Sequence, residues 1–126
     1  MRLLIDTRLL LWWLAASPVL PIRARDLISD PENAVFVSAV SLWEIRLKQS
    51  LDKLRMPRDF RERLESEPFE ALPLTGAHTE GIVDLQGHHR DPFDRMLIAQ
   101  AKAEGMFLLT SDAVVARYGD FVLLVK

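Results

Sequence analysis

The sequence predicts an α/β fold in which a mainly parallel central sheet is flanked by helices, within a single domain that spans residues 1–126. Short runs of wholly apolar residues alternate along the chain with longer segments of helical character. Strands that are apolar at every position are buried on both faces, which is typical of parallel sheets covered by helices. The chain is also 49% hydrophobic and contains no cysteine, so one apolar core, without disulfides, must stabilise it.

The first half of the chain is predicted to hold two strands and three helices. Length and apolar composition separate the two kinds of element, while Pro21 at a first helical turn and Ser38 as an N-cap mark two helix starts. In chain order, the elements are a strand Leu3–Ile5, a helix Thr7–Ala15, a helix Ile22–Ile28, a strand Ala34–Val37 and a helix Ala39–Gln49.

The second half is predicted to hold three strands and four helices. The clearest helix begins at Pro92, after Asp91 as its N-cap, and ends before Gly105. A weaker strand is interrupted by Pro73, so it is either an edge strand or an extended segment. In chain order, the elements are a helix Pro57–Ser66, the weak strand Phe69–Leu74, a helix Thr75–Asp84, the helix Pro92–Glu104, a strand Met106–Leu109, a helix Asp112–Tyr118 and a strand Phe121–Val125.

Acidic and hydroxyl side chains recur where the predicted strands end. In open α/β sheets the functional crevice lies outside the carboxyl ends of the strands, so these side chains are expected to converge there. Carboxylates gathered at one edge repel one another unless a cation neutralises them, and oxygen ligands favour Mg²⁺ or Mn²⁺. The residues concerned are Asp6, Glu44, Asp91, Asp94, Thr110 and Asp112.

Each acid also has a purely structural interpretation. The spacing of Ser41 and Glu44 matches a capping box, Asp91 and Asp112 are candidate helix caps, and Asp94 lies favourably near a helix N-terminus. Asp91 is therefore either a cap alone or a residue that holds water beside a metal ion. The recurrence of acids at equivalent strand ends favours a shared site.

Composition and motifs argue against several other functions. The five glycines form neither a dinucleotide-binding nor a phosphate-binding loop, and no nucleophile elbow is present. Adjacent histidines in a loop point apart, so His88 and His89 are expected at the surface or against substrate rather than on a metal. The longest apolar run, Leu9–Ala16, is far shorter than the roughly 18 residues of a membrane span. A cytoplasmic protein without membrane association is expected.

Charge and tryptophan positions suggest where partners bind. The net charge is −2, yet residues 46–63 carry seven Lys and Arg against three acids. This basic stretch is either a solvated helical face or a strip that attracts phosphates. Trp12 and Trp13 are about 100° apart around a helix, so one of them is expected at a subunit interface. Trp43 is expected to pack internally.

Four segments of the chain, in order, resemble the PIN-domain ribonucleases, particularly the VapC toxins of bacterial toxin–antitoxin pairs. The segments are Leu4–Thr7, Ser38–Ile45, His89–Arg95 and Leu109–Asp112. The resemblance implies a PIN-like three-layer fold, a homodimer and an Mg²⁺-dependent endoribonuclease, with Mn²⁺ as a substitute ion. It also implies that a partner antitoxin holds the enzyme inactive.

The resemblance also implies roles for individual residues. The metal-binding carboxylates of the family correspond to Asp6 and Asp94, and its further catalytic acids to Glu44 and Asp112. Thr110 supplies the hydroxyl of the family's T-x-D element and, like Asp91, is expected to support the metal-binding acids or to position a water molecule.

Basic side chains near these acids, Arg8, Arg46 and Lys48, are then expected to contact the RNA. Two alternatives share the acidic pocket: a receiver-like signalling module, and a binding module without nuclease activity whose acids only cap helices. A receiver-like module calls for adjacent acids after the first strand, whereas Asp6 stands alone there.

Overall fold

Five short strands form the centre of the molecule in the computed structural model, which describes all residues 1–126. The strands are β1 Arg2–Ile5, β2 Ala34–Ser38, β3 Glu70–Leu72, β4 Phe107–Thr110 and β5 Val122–Leu124. They form a single sheet in the order β3-β2-β1-β4-β5, and every neighbouring pair is parallel. The predicted parallel sheet is therefore confirmed, with the apolar β1 at its centre.

Helices cover both faces of this sheet. They are α1 Thr7–Leu14, α2 Ile22–Ser29, α3 Ala39–Ser50, α4 Phe60–Glu65, α5 Gly76–Glu80 and α6 Pro92–Glu104. Alternate residues of β1 point to opposite faces, so Ile5 packs in one apolar cluster with α1 and α2, whereas Leu4 packs in another with α6. The predicted three-layer α/β architecture is confirmed.

Three predicted helices are shorter in the structure. α4 begins at Phe60 rather than Pro57, and α5 ends at Glu80 rather than Asp84. Beyond α5, Gly81 and Ile82 donate to carbonyls three residues back, so the chain continues as turns. The segment Asp112–Tyr118 forms only a 3₁₀ helix over Val115–Tyr118. The weak strand predicted over Phe69–Leu74 forms as β3 but is short. It lies at the sheet edge and ends before Pro73.

A buried polar chain joins β2 to α6. Gln100 of α6 is fully buried, and its side-chain carbonyl accepts a hydrogen bond from the Ser38 hydroxyl. The same hydroxyl accepts the backbone N–H of Val40 and so caps α3. This network fixes the start of α3 relative to α6, and the N-cap predicted at Ser38 is confirmed.

Trp43 differs from expectation, whereas Trp12 and Trp13 pack partly against neighbouring side chains. Trp12 and Trp13 are both half-buried, with Arg8 over the Trp12 ring and Phe69 against Trp13. Trp43, expected to pack internally, is 59% exposed and touches Phe93 edge-on.

None of the helices has the length and apolar character that a membrane span requires.

Candidate active site

A pocket of about 290 Å³ opens at the carboxyl ends of β1, β2 and β4. All the parallel strands end on this edge, so the acids that follow them meet, as the sequence predicted. Five carboxylates line the pocket: Asp6, Glu44, Asp91, Asp94 and Asp112.

Asp6 stands at the junction of β1 and α1. Its Oδ1 accepts the backbone N–H of Leu9 at 2.8 Å and thereby caps α1, and its Oδ2 accepts the Thr110 hydroxyl at 2.6 Å. Burial raises the pKa of Asp6, although the hydrogen bonds from Thr110 and Leu9 oppose that rise. Thr110 therefore holds the Asp6 carboxylate from the end of β4.

Glu44 reaches the pocket from the second turn of α3. It is 6% exposed; its Oε2 lies 2.6 Å from the Lys48 ammonium, while Oε1 has no hydrogen-bond partner. Because Ser38 is the N-cap of α3, Glu44 lies inside the helix, and the capping-box interpretation is wrong. A hydrogen bond of 2.9 Å from Thr7 to Ser41 ties α1 to α3 beside it.

Asp91 and Asp94 lie at the N-terminus of α6. Asp91 Oδ1 accepts the backbone N–H groups of Phe93 and Asp94 at 2.8 and 3.1 Å, so the predicted cap is confirmed. Burial raises the pKa of Asp94 from 3.8 to about 7, and the carboxylates of Asp91, Asp6 and Glu44 add to the rise. Asp94 therefore experiences the combined negative charge of the pocket.

His89 bridges two of the acids, a role that the sequence did not predict. Its Nε2 lies 3.1 Å from a carboxylate oxygen of both Asp94 and Asp112. Its Nδ1 accepts the backbone N–H of Asp91 at 3.1 Å, which leaves the ring proton on Nε2. In this arrangement the ring donates to both carboxylates, and one ligand atom each of His89, Asp94 and Asp112 lie within 4.8 Å of one another, close enough to share a metal ion.

Asp112 differs from the other acids in its ionisation. Burial raises its pKa, but hydrogen bonds from the Val114 backbone N–H and from His89 outweigh this and leave the pKa below its usual value. Its own backbone N–H donates to Thr110 Oγ1 at 3.1 Å. These contacts favour the ionised form of Asp112.

The loop that carries His89 is braced from two sides. Tyr118 accepts the His89 backbone N–H at 2.8 Å and donates to the Gln86 carbonyl at 2.8 Å. The Arg95 guanidinium donates to the same carbonyl and to the Tyr118 hydroxyl. These contacts explain how a residue in a loop is held against the acids.

Basic residues also line the pocket, though not all those expected. Arg8 and Lys48 do so, and Lys53, which the sequence analysis did not single out, joins them. Arg46 does not line the pocket: its guanidinium stacks on Phe60, 4.8 Å from the ring centre, and donates to Gln49. Two residues along a helix correspond to about 200°, so Arg46 faces away from Glu44.

A family model described as the PIN domain matches residues 3–120 of the chain. The chain belongs to the PIN-domain family. The resemblance seen in the sequence is therefore confirmed, and the receiver-like alternative is wrong. No curated protein sequence matches the chain.

Solved structures share the fold of this PIN domain at low sequence identity. VapBC2 from Rickettsia felis, bound to a promoter DNA fragment, gives a TM-score of 0.73 at 15% identity, covering 98% of this chain and 97% of that one. FitAcB from Neisseria gonorrhoeae gives 0.69 at 20% identity, covering 98% and 96%. A toxin–antitoxin complex from Klebsiella pneumoniae gives 0.65 at 18% identity, covering 95% and 94%.

The acids of this PIN domain fit a divalent cation. Carboxylate oxygens are the ligands that Mg²⁺ and Mn²⁺ prefer, and a cation would remove the repulsion that adds to the effect of burial in raising the pKa of Asp94. The unpartnered Glu44 Oε1 is a buried acceptor that needs a positive partner. The donor set is therefore suited to a hard cation.

Proposed function

We propose that this PIN domain is an endoribonuclease that depends on Mg²⁺, or on Mn²⁺ in its place, and that serves as the toxin of a toxin–antitoxin pair. The observation that carries the proposal is the convergence of five carboxylates in one pocket, one of them with a buried oxygen that lacks any partner. A set of helix-capping acids alone has no need for such an unpartnered group.

Asp6 and Asp94 are the residues proposed to hold the cation, with Glu44 and Asp112 completing the acidic wall. A bound divalent cation would supply the charge that neutralises a scissile phosphate and acidifies an attacking water. Thr110 holds Asp6 in place through its hydroxyl. Asp112, whose lowered pKa keeps it ionised, and Glu44, whose Oε1 has no partner, are suited to orient a water molecule.

The basic residues at the pocket supply the proposed substrate contacts. Arg8, Lys48 and Lys53 place positive charge beside the acids, where a phosphodiester backbone approaches. Arg46, turned away toward Phe60, is not part of this contact set. RNA is proposed as the substrate from the family resemblance together with this charge arrangement.

Partners are proposed from the fold relatives and from the surface. The relatives include VapBC2 and a toxin–antitoxin complex, which supports an antitoxin as the partner that controls the enzyme. For the homodimer, the exposed apolar side chains Trp43, Leu47 and Leu51 follow one another at four-residue spacing along α3 and just beyond it. We propose this stripe as the dimer interface in place of the pair Trp12 and Trp13, because its side chains are more exposed.

The test of catalysis compares two pocket variants with a surface control. Asp6→Asn and Asp94→Asn should each abolish Mg²⁺-dependent RNA cleavage in a fluorescent oligoribonucleotide assay, while Asp84→Asn, at an exposed position outside the pocket, should cleave like the wild type. EDTA should stop cleavage by the wild type. Full cleavage by either folded pocket variant would show that the acids do not form the active site.

A further inference from the structure

Lys48 makes an ion pair with Glu44 that differs from the other helical pairs of the molecule. Lys48 Nζ lies 2.6 Å from Glu44 Oε2. The Glu44 side chain is only 8% exposed, whereas the Lys48 side chain is 45% exposed. The remaining lysine- or arginine-to-carboxylate pairs, Arg61–Glu65 and Arg63–Asp59, are solvated on both sides. Only the Lys48 pair therefore involves a carboxylate that has lost its water.

Burial gives this pair a different energetic role. An exposed pair spaced four residues apart on a helix contributes little, because water solvates both charges equally well. A buried carboxylate without a counter-charge is strongly unfavourable. Glu44 also lines the pocket together with the other acids, so Lys48 brings positive charge into the metal-free pocket.

The other cations of the pocket do not take this role. Arg8 and Lys53 line the pocket, yet neither lies within 4.0 Å of a carboxylate oxygen. Glu44 itself is half satisfied, because Lys48 contacts Oε2 while Oε1 has no partner. The carboxylate is thus held by one flexible side chain and remains open to a second positive group.

We propose that Lys48 is an internal counter-ion that holds Glu44 in the metal-free protein and competes with the divalent cation for its carboxylate. This inference rests on the proposed function, since it assumes that the acids bind a cation. Binding of the cation weakens the Lys48–Glu44 contact, and by thermodynamic linkage the contact weakens cation binding equally. The released ammonium, on a flexible stem already half in solvent, becomes available to a substrate phosphate.

The test measures Mn²⁺ alone, without RNA, by following the EPR signal of the free ion during titration. Lys48→Met should bind Mn²⁺ at least about fivefold more tightly than the wild type, the lower end of ordinary coupling between sites. Lys53→Met removes the same charge from the same pocket without freeing Glu44, so its affinity should rise by less than about twofold. Lys48→Gln provides a second variant if the Met variant does not fold.

Thermal melts supply an independent readout. In EDTA, Lys48→Met should unfold at a lower temperature than Lys53→Met, because Glu44 has lost its only partner. Saturating Mn²⁺ should close that gap, since the cation then neutralises Glu44 in both variants.

The outcomes separate this inference from the proposed function. If the wild type binds no Mn²⁺, the proposed cation-dependent function and this inference both fail. If the wild type binds Mn²⁺ but the Lys48 variants bind it no more tightly than Lys53→Met does, the cation site stands and the competition is refuted.

Discussion

Asp94 carries the clearest electrostatic strain of the metal-free pocket. Burial and the neighbouring carboxylates raise its pKa from 3.8 to about 7, so ionising this carboxyl costs more free energy in the folded than in the unfolded protein. The difference corresponds to about 4 kcal/mol at pH 8. This value is an upper limit, because the side chain keeps 26% of its surface in solvent. Because the pKa of Asp94 is higher in the folded state, its protonated form favours folding. The stability that this protonation gives is fully present below pH 3.8 and is lost as the pH rises to about 7.

Asp94→Asn removes that charge with little change of shape. In EDTA at pH 8 the variant should be more stable than the wild type by about 6–10 °C in Tm, taking about 2 kcal/mol as realised and about 3–5 °C per kcal/mol for a domain of this size. Its advantage should fall to less than half by pH 5 and vanish only below about pH 3, where the wild-type carboxyl is protonated in both the folded and the unfolded state. Differential scanning fluorimetry across this pH range measures both effects.

Adding Mg²⁺ should stabilise the wild type more than Asp94→Asn, because the variant has lost one proposed ligand. At tenfold excess over Kd, Mg²⁺ should stabilise the wild type by about 1.4 kcal/mol and the variant by less. Asp84→Asn serves as the control and should follow the wild-type curve. An acid that only favours the helix N-terminus would make Asp94→Asn less stable than the wild type in EDTA at pH 8, and that result would refute the strained cluster.

Three further changes test separate parts of the structure. Thr110→Val removes the hydroxyl that donates to Asp6. It should lower the free energy of unfolding by about 1 kcal/mol in urea melts and reduce RNA cleavage. Unchanged activity would show that Asp6 needs no such support. Trp43→Glu places a charge on the apolar stripe of α3. The molar mass from light scattering should fall from that of a dimer to the 14.4 kDa of the monomer. A dimer that persists would place the interface elsewhere. Gly105→Ala forces alanine to φ 66° at the end of α6 and should cost about 1 kcal/mol in the same urea melts; equal stability would argue against the left-handed cap.

The sequence was informative wherever a single physical rule decided the outcome. Wholly apolar runs predicted the parallel strands, because burial on both faces leaves no polar positions. Asp6 and Asp94 were predicted to approach each other because the carboxyl ends of parallel strands share one edge. Helix ends such as Gly105 were predicted from local capping chemistry.

Features that depend on distant contacts were not predictable in this way. His89 is held against the acids by Tyr118, 29 residues away, and nothing in its neighbourhood along the chain indicates that contact. Arg46 was assigned to RNA on charge alone, whereas its position around α3 directs it to Phe60. The shortened helices differ from predicted ones only in whether N–H groups bond three or four residues back, a distinction that composition does not encode.

The sheet edge formed by β3 affects how the protein behaves at high concentration. An exposed strand edge is a template on which further chains can add, leading to aggregates. β3 offers only three residues, begins with the exposed carboxylate of Glu70 and is followed by Pro73, which has no N–H to donate. Two copies meeting there would bring like charges together over too short a ladder, so the sheet resists growth on this side and association is directed to helical surfaces.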